Sequence, residues 1–334
     1  MFSHRSHLRS LAGVKLLSTG SYVPDRVVTN EELARQGFDE EWILQRTGIR
    51  ERRHLEAGKA TSDMAVAAGR LAIERSGLSP ADIDLLVVGT FTPDMPVPTA
   101  ACLVQEKLGL TAAAFDLNSG CAGFMYALVT GMQFVATGAS HAALVIGADC
   151  NSRVVAPADM KMYPLFGDGA GAVVLVPGEK TDGLLAYTLG ADGSGADLLC
   201  RPMGGSKIPP SIQAIEENLH GLRMDGRAVF KWAVQVLEDS VRRVVGHAGL
   251  TLDDIALFIL HQANRRILDA AAEALGIDSG RLLINVDRYG NTSAASVPLA
   301  LDEAVCGGRL RRGDLVVLAG FGAGLAWGTA VLRW

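Results

Sequence analysis

Several signals are absent from this chain, and each absence narrows what it can be. The five cysteines, Cys102, Cys121, Cys150, Cys200 and Cys306, show no CxxC spacing. That excludes the common zinc frameworks and a disulfide ladder, and it predicts a reducing, cytoplasmic setting without a metal site. No apolar run reaches the roughly 18–20 residues of a membrane span, so no membrane association is expected. Positive charge is not in surplus: the formal net charge is −5 and no dense Lys/Arg face appears, which argues against a nucleic-acid partner. Residues 1–12 lack acids and any secretory apolar core, and they are expected to be a short flexible extension rather than an export signal.

What is present is apolar and rich in glycine. The 334 residues are 49% hydrophobic and 20% charged, the composition of a well-packed globular protein. The length suits about two domains or one fused unit. Strand-like runs at Val14–Ser18, Asp84–Gly89, Ala113–Leu117, Ala142–Gly147 and Ala172–Val176 alternate with helical patterns at Ser62–Ser76 and Thr99–Leu108. An Asn30-capped helix is expected after Val27, and a short helix from Glu40 is closed by Gly48. This alternation predicts an α/β fold with covered sheets. The stretch from Leu184 to Arg227 is polar and poorly periodic and reads as a long excursion of the substrate-covering kind.

One unit occurs twice. Gly77-Leu-Ser-Pro-Ala-Asp-Ile83 returns as Gly249-Leu-Thr-Leu-Asp-Asp-Ile255 after 172 residues (249 − 77), each copy running into an apolar strand. Phe166-Gly-Asp-Gly-Ala-Gly171 echoes Phe321-Gly-Ala-Gly324, and between the echoes Cys121-Ala-Gly-Phe124 and Ser293-Ala-Ala-Ser296 each open a helix. The duplication divides the chain near Pro177–Thr181, giving units 13–178 and 179–334.

The chemistry-bearing residues fall at the ends of these elements. In Asn118-Ser-Gly-Cys121-Ala-Gly-Phe124 the helix start places Cys121 in a first turn, where unpaired N–H groups and the helix dipole favour a thiolate. His261, with Gln262 and Asn264, follows the apolar strand Leu257–Leu260, where α/β sheets place their sites. Asn291 lies in the turn Tyr289-Gly-Asn291-Thr-Ser293 before a helix. A Cys thiolate can store an acyl group as a thioester. An imidazole N–H and an amide N–H can hold an enolate formed by decarboxylation. Neither glycine-rich turn has GxGxxG spacing opening a helix, which weighs against a dinucleotide site.

Together these five motifs resemble β-ketoacyl-[acyl-carrier-protein] synthase III, from about Val14 to Trp334. The resemblance implies a thiolase-like five-layered αβαβα sandwich built from two duplicated halves and functioning as a homodimer. It implies a decarboxylative Claisen condensation of an acyl-CoA primer, acetyl-CoA or a short or branched one, with malonyl-[acyl-carrier-protein]. The products are a 3-oxoacyl-carrier protein, CoA and CO2, and the step initiates type II fatty acid synthesis. Catalysis is assigned to Cys121, His261 and Asn291, with the backbone of Cys121 and Ala323 as the oxyanion hole and no cofactor beyond the CoA substrate. Trp42, Arg46, Thr47, Arg227, Ala263 and Asn264 correspond to CoA and pantetheine contacts. Lys231 and Arg266 correspond to carrier-protein docking positions, and Val97, Phe230 and Phe321 to the acyl pocket. Two departures stand out: Lys161 lies where an arginine is common near the nucleotide, and Val97 replaces a phenylalanine that closes the acyl pocket across the dimer. The alternative is a specialised relative that passes the acyl group from Cys121 to a hydroxyl, an amine or a β-keto acid.

Overall fold

The computed structural model describes residues 6–334. Ten strands build two five-stranded sheets: β1 (Leu8–Ala12), β2 (Val14–Tyr22), β3 (Leu85–Gly89), β4 (Ala113–Leu117), β5 (Ala143–Cys150), β6 (Asp168–Pro177), β7 (Gly183–Ala191), β8 (Leu257–Leu260), β9 (Leu315–Gly322) and β10 (Ala326–Arg333). The first sheet has the order β2-β6-β5-β3-β4, the second β1-β7-β10-β9-β8. The helices that cover them are α1 (Glu40–Thr47), α2 (Thr61–Ser76), α3 (Ala100–Leu108), α4 (Gly123–Ala136), α5 (Gly226–His247), α6 (Arg265–Leu275) and α7 (Ser296–Cys306).

Strand alternation sorts the core into layers. On β3, Leu86 and Val88 face α2 and α3, while Leu85 and Val87 face α4. On β8, Leu257 and Ile259 join α4 and α7 in that same central layer, and Phe258 and Leu260 turn outward onto α5 and α6. Both faces of both sheets are therefore buried, which is why these strands read as continuous apolar runs. The layers run α, β, α, β, α: α2 and α3, the first sheet, α4 and α7, the second sheet, α5 and α6. Each fully buried Leu or Val contributes about 1.5–3 kcal/mol.

The repeat is visible in three dimensions. Strands β8 and β9 start 172 residues after β3 and β5 (257 − 85 and 315 − 143), and each pair is parallel. The turns that enter β3 and β8 match: Gly77 and Gly249 have φ of 75° and 71°, and Asp82 and Asp254 each accept a backbone N–H three residues back at 2.7 Å. The Phe166 and Phe321 motifs are not equivalent, which corrects the second sequence echo. Phe166 precedes β6, whereas Phe321 lies in β9, the counterpart of β5. Similar glycine-rich wording arises there from different steric needs.

Three local expectations also change. Residues 1–5 of the expected extension lie outside the described residues, but Leu8–Ala12 is a strand paired antiparallel with β7, held by the buried Leu11. The excursion begins at Asp192 rather than Leu184, because Leu184, Ala186 and Thr188 alternate into the core from β7. The helix Asn30–Ala34 is capped by Thr29, whose Oγ1 accepts from Glu32 N at 3.1 Å. Asn30 itself is buried, donating to Ile49 O at 2.8 Å and accepting from Arg52 at 2.8 Å.

Candidate active site

Cys121 is delivered by the turn between β4 and α4. Asn118 Oδ1 accepts from Gly120 N at 3.2 Å, and Gly120 adopts φ +52°, a conformation glycine tolerates without a Cβ clash. Cys121 then falls in a single 3-10 turn, Gly120–Ala122, one step ahead of α4. The sulfur is not a resting thiolate, contrary to the sequence expectation. Cys121 is 9% exposed, and burial pushes its thiol up to about 12; a hydrogen bond from Ser293 at 3.3 Å offsets this in part. Desolvation outweighs the pull of a short helical turn.

The end of β9 packs directly on this turn. A Cβ on Gly322 would stand 2.6 Å from Cys121 N, and one on Gly120 would stand 3.2 Å from Ala323 N. Absence of both side chains brings the backbones of Cys121 and Ala323 side by side. As the second residue of its turn, Cys121 has an N–H without an intrahelical acceptor.

His261 follows β8, fixed by its own N–H donating to Ala319 O at 2.7 Å. Its ring meets Phe321 edge-on, with centroids 5.0 Å apart. Burial lowers its pKa from 6.5 to about 3, so the imidazole is neutral. Nδ1 lies 2.5 Å from Ser296 Oγ, in the first turn of α7. The tautomer that carries its ring hydrogen on Nε2 takes the Ser296 hydroxyl as donor at Nδ1. Gln262, grouped with His261 at the sequence level, serves the backbone instead: it donates to Leu260 O and Leu283 O and accepts from Asn285 N and Val286 N.

Asn291 is pinned between the halves. Its N–H donates to Leu165 O at 2.8 Å, and its carbonyl accepts from Gly167 N at 3.1 Å. The Phe166–Gly171 motif finds its purpose here, since a Cβ on Gly167 would stand 2.1 Å from Tyr289 O. Asn291 Oδ1 accepts from Ser293 N at 2.9 Å, which turns the NH2 group away from that contact.

All three side chains line one cavity of about 1390 Å³. Trp42, Arg46 and Thr47 of α1 line it, as do Arg227 and Phe230 of α5, Ala263, Asn264 and Arg266 at the start of α6, and Phe321 and Ala323. Two expected residues stand outside this lining: Val97, 83% exposed, and Lys231, exposed beside Phe230 on α5. Two others have engaged side chains. Thr47 Oγ1 donates to Ile43 O at 2.5 Å, and Asn264 caps α6 through Arg266 N at 2.8 Å while donating to Arg46 O at 3.2 Å. Arg266 lies over the Phe230 ring, 5.6 Å from its centre.

Sequence reasoning passed over Arg201 and Arg223, which join Arg46, Lys161, Arg227 and Arg266 on the cavity wall against a single acid, Asp159. They come from the Asp192–Asp225 excursion, where nothing in a polar, aperiodic stretch distinguishes a wall residue from a solvated one. A cationic lining on a net-acidic chain suits a phosphate-bearing ligand. Ser293 and Ser296 were equally unmarked, reading only as helix-start residues.

Comparison with known proteins agrees with this geometry. A family model described as 3-oxoacyl-[acyl-carrier-protein] synthase III matches residues 115–193, and the model of its C-terminal part matches 245–334. A β-ketoacyl-[acyl-carrier-protein] synthase III of Rhodopirellula baltica is 51% identical, with 97% of this chain and 99% of the relative covered. The crystal structure of the synthase III of Thermus thermophilus superposes with a TM-score of 0.89 at 43% identity, covering 96% of this chain and 99% of that one. The priming β-ketosynthase of the R1128 polyketide pathway is also similar, at 37% identity and TM-score 0.89 over 97% of each chain. The chain belongs to the 3-oxoacyl-[acyl-carrier-protein] synthase III family and has its thiolase-like fold.

Proposed function

We propose that this protein condenses an acyl-CoA primer, acetyl-CoA or a short or branched one, with malonyl-[acyl-carrier-protein], the initiating step of type II fatty acid synthesis. The observation that carries the reading is the opening of Cys121, His261 and Asn291 into one cavity, whose wall thus holds a thiol, a neutral imidazole and an amide. Cys121 sulfur attacks the primer thioester, CoA leaves, and an acyl-Cys121 thioester remains. Malonyl-carrier protein then loses CO2, and the electrons of the broken C–C bond become an enolate whose oxygen is held by His261 Nε2–H and Asn291 NH2. Neutral donors suit this task, because an imidazolium would give up its proton to the enolate carbon or oxygen. The enolate carbon attacks the acyl-Cys121 carbonyl, the backbone N–H groups of Cys121 and Ala323 hold the oxyanion, and Cys121 is expelled. Every step is redox-neutral, so the reaction as proposed balances without a cofactor.

The cationic wall supports a role for Arg46 and Arg227 with Trp42 in holding the CoA nucleotide, and Lys161 stands on the same wall. Lys231 and Arg266 are assigned to docking the acidic carrier protein. A homodimer is supported by β4, an edge strand whose outer backbone groups lack a strand partner among the described residues, and by the exposed Val97 that the partner would cover. A reducing cytoplasm suits the free thiols, of which Cys102 and Cys306 are exposed; no described helix is long and apolar enough to cross a membrane. The test is product analysis with acetyl-CoA and malonyl-carrier protein. Stoichiometric CO2 and 3-oxoacyl-carrier protein support the condensation, whereas an ester or amide formed from an added alcohol or amine moves the protein to the acyltransferase branch.

A further inference from the structure

We propose that Arg52 is a positioning residue for the condensation step: its buried guanidinium holds the turn that sets the Asn291 backbone, and so aims the amide that stabilises the enolate. The inference rests on the reading that Asn291 holds the enolate.

Arg52 is the middle residue of a short strand, Glu51–Arg53, paired antiparallel with Val27–Thr29, and it is fully buried. Burial lowers its pKa from 12.5 to about 10, which leaves it a cation at neutral pH. Among the described residues it has no carboxylate partner, and its donors go to neutral oxygens instead. Nε and Nη2 converge on Pro164 O at 3.2 and 2.8 Å, and Nη1 donates to Val28 O at 3.1 Å and Asn30 Oδ1 at 2.8 Å. A buried cation without a counter-ion is costlier than an apolar side chain of the same volume, so filling space does not account for it. What the guanidinium fork does, and an apolar chain does not, is fix oxygens from two separate segments against each other.

One of those segments leads straight to Asn291. Pro164 lies in the single 3-10 turn Tyr163–Leu165. The next carbonyl, Leu165 O, accepts Asn291 N at 2.8 Å, and Gly167 N donates to Asn291 O at 3.1 Å, so Phe166 and Asn291 form a two-bond bridge. Arg52 also lies beneath this bridge. A Cβ on Gly167 would stand 3.3 Å from Arg52 Cβ, and one on Gly290 would stand 3.2 Å from it. Two glycines thus let the backbone on both sides of the bridge settle onto this one side chain. Asn151 Nδ2 holds Gly167 O at 2.7 Å, a second anchor that does not reach the Pro164 turn.

The tether serves one member of the trio. Cys121 rests on Gly322 at the end of β9, and His261 is fixed through Ala319 O and Ser296 Oγ. Neither depends on Pro164. Asn30 keeps its own bond to Ile49 O when Arg52 is absent. Loss of the guanidinium should therefore loosen the amide donor and spare the nucleophile, which separates the two half-reactions.

The test is a pair of readouts on the full-length protein and on Arg52→Met. The first is backbone hydrogen exchange followed by mass spectrometry, which needs no substrate. Exchange in the segments that carry Gly167 and Asn291 should quicken about tenfold, while α4 exchanges as slowly as before. The second is single-turnover kinetics. At saturating acetyl-CoA, acylation of Cys121 should be unchanged while condensation falls about tenfold. In an Asn291→Ala background the same substitution should cost nothing further, because its route to the reaction is already gone. Unchanged exchange at Asn291, a quickening shared with α4, acylation falling as far as condensation, or an equal loss in both backgrounds overturns the tether. Condensation by Asn291→Ala at the unsubstituted rate overturns the enolate assignment instead, and the exchange result still upholds or overturns the hold of Arg52 on Asn291. Where Arg52→Met does not fold, Arg52→Lys carries the test. Its single nitrogen cannot span both Pro164 O and the Val28–Asn30 pair, so the same split should appear with a several-fold loss.

Discussion

The Asn291 side-chain oxygen accepts the Ser293 backbone N–H at 2.9 Å, and this one contact decides which end of the amide meets the substrate. With Oδ1 occupied, the NH2 group is the part left for the cavity that Asn291 lines. Asn291→Asp keeps an acceptor for Ser293 but presents a second carboxylate oxygen where the enolate forms. We expect Asn291→Asp and Asn291→Ala to acylate on Cys121 as the unsubstituted protein does, while condensation falls about 100-fold or more. Single-turnover assays of the two half-reactions measure this.

His261 carries a signature in stability. Its pKa drops from 6.5 to about 3 on folding, through burial. Below pH 6.5 the unfolded chain therefore binds a proton that the folded one refuses, so this contribution is complete above pH 6.5 and is lost as pH falls toward 3. Urea midpoints should fall more steeply from pH 7 to 4 for the unsubstituted protein than for His261→Gln.

Gly322→Ala places a methyl 2.6 Å from Cys121 N, against backbone that cannot swing aside. Expected are a loss of about 1–3 kcal/mol in stability and a fall of about 100-fold in turnover as the paired N–H groups part. Gly246→Ala, in α5 with nothing within 4 Å of the added carbon, is the control and should be neutral or slightly stabilising. Thermal melts and steady-state rates of the two variants check the pair.

Lys231 sits outside the cavity, so its charge should matter only to a macromolecular partner. Lys231→Glu should leave acylation by acyl-CoA unchanged, raise the KM for malonyl-carrier protein several-fold, and lessen the salt dependence of that step. Steady-state kinetics at two ionic strengths give the answer.

The meeting of Cys121, His261 and Asn291 in one cavity was legible because each interrupts an apolar or glycine-rich pattern at the end of a strand or the start of a helix. The layered α/β fold was legible in the doubly apolar runs of β3, β5 and β8. What was not legible depends on distance. Ser293 meets Cys121 only after the two halves pack together. Thr47 and Asn264 carry the right motif positions, yet local hydrogen bonds engage their side chains. The thiol's protonation was misread because a helix-start argument ignores how much protein covers the sulfur. β1 was missed because it is five residues long with Arg9 and Ser10 exposed, and β7 because it runs directly into the polar, aperiodic stretch that follows it.

The most direct measurement is intact-protein mass spectrometry after exposure to a panel of acyl-CoAs and then to malonyl-carrier protein. The account predicts a mass gain of one acyl group, absent in Cys121→Ala, that is discharged by malonyl-carrier protein as a 3-oxoacyl-carrier protein with release of CO2. An acyl group that persists in the presence of malonyl-carrier protein, or a mass gain retained in Cys121→Ala, contradicts it.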